Sequence, residues 1–307
     1  MIIPKRCVTV PTEEIDIPLL IEAIEKLKFK ECLKDMEESW GFFPADEIDE
    51  SSPLAISVDC FTLITVRHDR KTVNKTRLSR AWRKEVEAQE KASQMRFDKP
   101  RKDEVREAVK KRMLKEALPD ESYYKAVINT RKKCIYVLVS VPSQAEFVID
   151  KISKALISQS QKINFAADTL QEELEDTLTQ WVATPNLAED QGFTVGGSMM
   201  MKGEESSTAA LKHHNPESAE VKEHLFAGKS VSKTALYSKD DNGNEISLVL
   251  AANKIMSQID LKGICNAQVK AERENSTDVS AMREAEFLIW MNALSDLCEK
   301  VGAIEKI

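Results

Sequence analysis

Two adjacent histidines, His213 and His214, stand between Lys212 and Asn215-Pro216 in a chain with only four histidines. An imidazole pair suggests two chemistries, metal ligation and general acid–base work. Neither finds its remaining parts. The stretch TAALKHH (208–214) reads as a strand, and adjacent strand residues point to opposite faces, so the two rings are badly placed to chelate one ion. His224 lies a helix away, no cysteine or acid completes a known ligand spacing, and the sequence names no acid–base partner. The six cysteines, at 7, 32, 60, 134, 265 and 298, form no Cys-x-x-Cys and lie outside ligand spacing of one another. They read as reduced, mostly buried thiols. Glu85, Glu87 and Glu90 beside Lys91 superficially resemble the clustered acids of a magnesium-dependent nuclease. At those spacings, pairing along a helix with Arg83, Lys84 and Lys91 accounts for them better. Phosphate-loop, dinucleotide, zinc-protease and serine-elbow motifs are missing from the sequence. From these residues no catalytic residue, metal ligand or cofactor is expected.

The distribution of charge says more. The chain has 307 residues, 31% of them charged and 42% hydrophobic, with a net charge of −7. From Ile64 to Lys133 there are 22 basic residues against 11 acidic ones, which leaves −18 for the rest. A basic segment on an acidic body suits polyanion binding. A solvated helical hairpin rich in lysine and arginine is the plainer alternative. No apolar run is long enough for a transmembrane helix and the first residues lack the apolar core of a signal peptide. A cytoplasmic location without membrane contact is therefore expected.

These residues need elements to position them. Leu20, Ile24 and Leu27 share helical spacing over 17–29. Trp40-Gly41-Phe42-Phe43-Pro44 reads as a turn, 46–53 as an acidic loop and 58–67 as a buried strand. Two helices follow. One carries Leu78, Trp82 and Val86 on a face opposite many of the basic side chains, and is interrupted at Phe97-Asp98-Lys99-Pro100. The other runs from about Asp103 to Leu118 through Val105, Val109 and Met113, and Pro119 stops it. A strand at 134–141 leads into a capping box, Ser143 to Glu146, and a helix to about Ile157. Asn215 and Pro216 are suited to N-cap and first-turn positions of a helix that stops at Gly228. The segments 231–238 and 245–251 flank DDNGN, a hairpin signal. The last helix buries Phe287, Met291, Leu294 and Cys298.

Several stretches have family-specific wording: Leu178-Thr179-Gln180-Trp181-Val182, Leu211-Lys212-His213-His214, and Val221 through Ala227-Gly228-Lys229. Val231-Ser232-Lys233-Thr234-Ala235-Leu236 and Ala285-Glu286-Phe287-Leu288-Ile289 complete the series, with Lys102-Asp103-Glu104-Val105 and Leu118-Pro119 earlier. In this order the chain resembles the RdgC family over nearly its whole length, most closely over 170–290. The resemblance implies an α+β fold with antiparallel-rich sheets and packed helices. It also implies a horseshoe protomer with an inserted basic helical arm, closing into a ring-shaped homodimer. Its parts would be a central domain (1–73 and 125–168), the arm (74–124) and a C-terminal base domain (169–307). The family is non-enzymatic, binds DNA with little sequence preference and restrains a RecA-type recombinase; the partners expected for this chain are therefore DNA, duplex ahead of single strands, a second copy of itself and a RecA-type recombinase. A nucleoid-associated location follows. The alternative is an interaction module that binds a recombinase or nuclease directly, with incidental DNA contact. Together with the basic segment, the resemblance nominates Arg77, Arg80, Arg83, Lys84, Arg101, Lys102, Lys110, Lys111, Lys212, His213, His214, Lys229 and Lys233 as DNA-contacting residues. Tyr123 and Tyr124 would stand in for the aromatic residue that the family carries at its arm tip, where the ring closes.

Overall fold

A computed structural model describes residues 3–45, 52–157, 173–204, 207–240, 243–275 and 277–304. In chain order the first half contains β1 (Arg6–Pro11), α1 (Ile17–Lys26), β2 (Glu38–Phe43), β3 (Ala55–Val58), β4 (Phe61–Lys71), α2 (Lys75–Ser93), α3 (Lys99–Glu116), β5 (Pro119–Asn129), β6 (Cys134–Val137) and α4 (Pro142–Ile157). The second contains α5 (Glu175–Ala183), α6 (Asn186–Glu189), β7 (Thr194–Lys202), β8 (Thr208–Leu211), α7 (Ala219–Phe226), β9 (Ser230–Lys239), β10 (Glu245–Ala251), β11 (Met256–Asp260), α8 (Lys262–Asn275) and α9 (Val279–Gly302). The class is α+β with extensive antiparallel sheet, as expected. The chain divides into two compact units. The larger comprises Met1–Ala23, Ala55–Ile64 and Tyr124–Ile307, the smaller Ile24–Leu54 and Thr65–Tyr123.

In the larger unit the strands from β5 to β8 follow the order β5-β6-β1-β11-β10-β9-β7-β8. β1 pairs antiparallel with β6, Val8 opposite Val137, and with β11, Arg6 opposite Ser257. β6 is buried along its length, whereas β10 alternates buried and half-buried positions, as a sheet with one covered face requires. The expected hairpin is β9–β10, with Lys239 opposite Glu245. Two residues of its turn, 241–242, lie outside the described residues, as does most of the expected loop at 46–53. The apolar stripe of α9 is buried as predicted, Met291 and Leu294 completely. Leu178, Trp181 and Val182 of α5 are equally buried, and the Trp181 ring lies against Phe193 at 5.8 Å between centroids. The Leu178–Val182 stretch is thus a packing feature.

The smaller unit contains β2 against the Thr65–Arg70 stretch of β4, and the α2–α3 hairpin. Residues 40–43, expected as a turn, belong to β2. Gly41 makes this possible, because a Cβ there would collide with the Phe29 backbone. The 27–29 segment hydrogen-bonds the same strand, Phe42 N to Leu27 O at 3.0 Å and Phe29 N to Phe42 O at 2.8 Å. Leu78, Val86, Val105 and Val109 form the hairpin's core, with Trp82, Phe97 and Met113 packed around it. Asn74 caps α2 through its side chain, and Asp98 caps α3, with Pro100 in its first turn. Asp98 as N-cap sets the start of α3 four residues earlier than the hydrophobic pattern suggested.

Three local expectations are corrected. α4 begins at Pro142, so Val141, not Ser143, occupies the N-cap position and no capping box forms. α7 begins at Ala219 after Ser218, while the Asn215 side chain and carbonyl accept from the Glu217 and Ser218 amides and close a turn instead. Gly228, just beyond that helix, has φ +75° and ends it as expected. The strand of TAALKHH stops at Leu211, and His213 has φ +60°, outside any strand.

Candidate nucleic-acid interface

On α2 the apolar residues Leu78, Trp82 and Val86 recur every four residues and face the hairpin core. Arg77, Arg80, Arg83 and Lys84 fall on the opposite side of the same helix. All four are exposed and line one concave patch together with Ala81. None has an ion-pair partner among the described residues. A cationic row without carboxylates attracts phosphate without first having to break an internal pair.

The basic residues expected on α3 are less available. Arg101 pairs with Glu104 at 2.7 Å, Lys102 with Glu90 at 3.5 Å, and Lys110 approaches Glu37 at 4.0 Å. Lys111 lines a small cavity of about 260 Å³ with Asp35, Glu37 and Lys115. Lys212, His213, His214, Lys229 and Lys233 belong to the larger unit. There Lys212, His213 and Lys233 are exposed, whereas His214 Nδ1 lies 3.2 Å from Glu220 Oε2 and Lys229 Nζ lies 3.2 Å from His224 Nδ1. A charged His214 would meet Glu220 before it met a phosphate.

Glu85, Glu87 and Glu90 are each occupied. Glu87 pairs along the helix with Lys91 at 2.8 Å, as the spacing predicted. Glu85 instead reaches across to Arg112 at 3.1 Å, and Glu90 accepts from the Phe97 amide at 2.8 Å. Hydrogen bonds from Gln89 and Arg112, from Lys91, and from the Phe97 amide respectively lower these carboxyls below the usual range. Glu85 and Glu90 act as clips from α2 to α3 and to the turn before it, whereas Glu87 pairs within α2. Among the described residues, no three His, Cys, Asp or Glu side chains gather as a metal site would require.

Tyr123 and Tyr124 are not at the arm's end. The turn between α2 and α3 lies at residues 94–98, and both tyrosines sit half-buried within β5. Tyr123 packs edge-on to Phe43 at 5.4 Å and donates to Glu121 at 2.8 Å. The Arg67 guanidinium lies over the Phe29 ring at 4.4 Å and within 5.5 Å of the Tyr123 centroid, with Asp69 and Glu121 as its anions. Burial, aided by the bond to Glu121, pushes the Tyr123 phenol up to about 12. Tyr124 packs against Phe147 at 5.7 Å. The sequence could not show this, because β5 has few apolar residues in its first half and was not recognised as a strand. The cysteines match expectation, all six free and four of them buried. Burial pushes the Cys134 and Cys265 thiols up to about 11.

The order of these elements and the exposed basic face of α2 lead to the comparison with known proteins. The family model described as "Putative exonuclease, RdgC" matches residues 9–304. The chain belongs to the RdgC family. The recombination-associated protein RdgC of Psychromonas ingrahamii is 24% identical over 296 residues, which cover 96% of this chain and 94% of that relative. The protein of the same name from Pseudomonas entomophila is 22% identical over 300 residues, covering 94% of each. That of Pseudoalteromonas atlantica is 26% identical over 133 residues, or 43% of this chain. The RdgC similarity thus runs through both compact units. No helix among the described residues is long and apolar enough to cross a membrane.

Proposed function

We propose that the chain is a sequence-nonspecific DNA-binding protein of recombination. In this reading it acts as a homodimer whose horseshoe protomers close into a ring around duplex DNA. Occupancy of DNA would limit the access of a RecA-type recombinase or a nuclease. The observation that carries the reading is the row Arg77, Arg80, Arg83 and Lys84, exposed on one helix face without carboxylate partners. Arginine and lysine on a helix face hold phosphates and read no bases. The curated relatives' shared name, recombination-associated protein, points the same way. Tyr123 and Tyr124 are engaged within the chain, so ring closure is not assigned to them.

The family description raises an exonuclease as the second reading. One set of assays separates the two. Purified protein on closed circular and linear duplex, across a salt series, should bind both with a steep negative salt slope. Retention on circles but loss from free ends would mark encirclement. A flat salt dependence would sink the DNA reading. Strand shortening in magnesium that Glu85→Ala or Glu87→Ala abolishes would establish the nuclease. A pull-down of a recombinase that survives nuclease treatment, without any gel shift by the protein alone, would favour the interaction module.

A further inference from the structure

A second cationic feature lies within the larger unit. A cavity of about 580 Å³ is lined by Lys5, Arg6 and Lys233 together with Ser140, Asn253 and Gln258. Its volume lies in the range of small-ligand sites, roughly 300–1,000 Å³. Four strands assemble it. Lys5 precedes β1 and Arg6 begins it, Arg6 stands opposite Ser257 of β11, and Lys233 of β9 stands opposite Ala251 of β10 at the end of their ladder. The lining holds three cationic side chains and no carboxylate. None of the three has an ion-pair partner among the described residues.

The wall adds polarity of the same sign. α4 starts at Pro142 and runs for 16 residues, so the positive end of its dipole opens onto the cavity. Its N-cap position holds Val141, whose side chain has no oxygen with which to cap the first-turn amides. Ser140, Asn253 and Gln258 supply neutral hydrogen-bonding groups. Gln258 has φ +51° at the register shift of the β10–β11 ladder.

We propose that this cavity binds a phosphate monoester, and specifically the 5′-terminal phosphate of a nucleic-acid strand. A terminal phosphate carries up to two charges, whereas an internal diester carries one. Three unpaired cations and a helix N-terminus around one cavity therefore favour an end over a backbone position. The choice of a strand end rests on the DNA reading above, while the phosphate chemistry of the cavity does not. A free nucleoside monophosphate has the same chemistry and is the second source that the experiment distinguishes.

The test uses the full-length protein and three probes: a labelled short duplex with 5′-phosphate ends, the same duplex with 5′-hydroxyl ends, and closed circular duplex. The phosphorylated ends should bind about tenfold more tightly than the hydroxyl ends, the scale of one charge-assisted contact set. Inorganic pyrophosphate, at matched ionic strength, should erase that increment and leave circle binding in place. A Lys5→Gln, Arg6→Gln variant should lose the increment while keeping its melting temperature and its affinity for circles. Equal affinity for the two kinds of end, with circles still bound, would overturn the strand-end site and leave the DNA reading standing. Stabilisation by adenosine monophosphate that depends on Lys5 and Arg6, without a preference among ends, would support the phosphate site and assign it to a free nucleotide. Loss of all duplex binding with nucleotide binding intact would remove the DNA reading and keep the cavity. Binding of none of the probes would remove both.

Discussion

Arg80 and Lys84 illustrate what decides whether a cation on this surface is available. They lie on the same helix as Glu85, Glu87 and Glu90, yet those acids turn to Arg112, Lys91 and the Phe97 amide. The basic face keeps its charge because the acids are taken up elsewhere. Arg80→Glu combined with Lys84→Glu should weaken binding on all sequences alike. The salt slope should fall by about one for each phosphate contact removed. An anisotropy titration on two unrelated duplexes checks this, and a sequence-dependent loss would contradict it. Tyr123 offers an alkaline test. Its folded value, about 12, lies above the ordinary tyrosine value of 10.0. A group raised in this way contributes stability that is fully present below the unfolded value and lost as pH rises towards the folded one. Thermal melts should therefore fall between about pH 10 and 12. Tyr123→Phe should be flatter over that window than the parent.

At the scale of the element, the α2–α3 hairpin stands on a small apolar core and two carboxylate clips, Glu85 and Glu90. Leu78 is 8% exposed, and Leu78→Ala should cost about 2–4 kcal/mol, read from denaturant midpoints. A cost under about 1 kcal/mol would mean that the core collapses around the gap. Glu85 and Glu90 are held below the usual carboxyl range by their donors. Their contribution is present above the ordinary glutamate value, about 4.3, and is lost as pH falls through the lowered folded values. The protection factors of the hairpin amides should fall below about pH 4. In Glu90→Gln the Phe97 amide should already exchange faster at neutral pH, because a neutral acceptor holds it less strongly.

At the scale of the whole molecule, the balance between a +11 segment and a −18 remainder frames the function. A net acidic remainder would repel DNA except where cations are concentrated, as the proposed occupancy without sequence reading requires. Light scattering should give twice the chain mass if the protein is the proposed homodimer. A monomer that still binds circles reversibly would retain the DNA reading and exclude the closed ring.

The sequence alone determined the α2–α3 hairpin, the last helix, the β9–β10 hairpin and the family. Each rests on local periodicity or on wording that survives without knowledge of neighbours in space. It also located the basic excess, because charge counts need no coordinates. Only the tertiary structure decided which cations are available. Lys102 is paired with Glu90 of the facing helix, while Arg77, Arg80, Arg83 and Lys84 have no ion-pair partner among the described residues; Arg101 pairs locally, with Glu104 on its own helix. Tyr123 and Tyr124 belong to a strand because Phe43, Arg67 and Phe147 receive them, although their own segment is too polar to announce it. Lys5, Arg6 and Lys233 lie far apart in sequence and share a cavity only because β1, β11, β10 and β9 are neighbours in one sheet. His213 and His214 fall outside the strand that seemed to hold them, and Glu220, thrown forward by the Asn215 turn and the start of α7, decides what His214 meets. Strand order and turn geometry are long-range choices, and a linear pattern of residues does not encode them visibly.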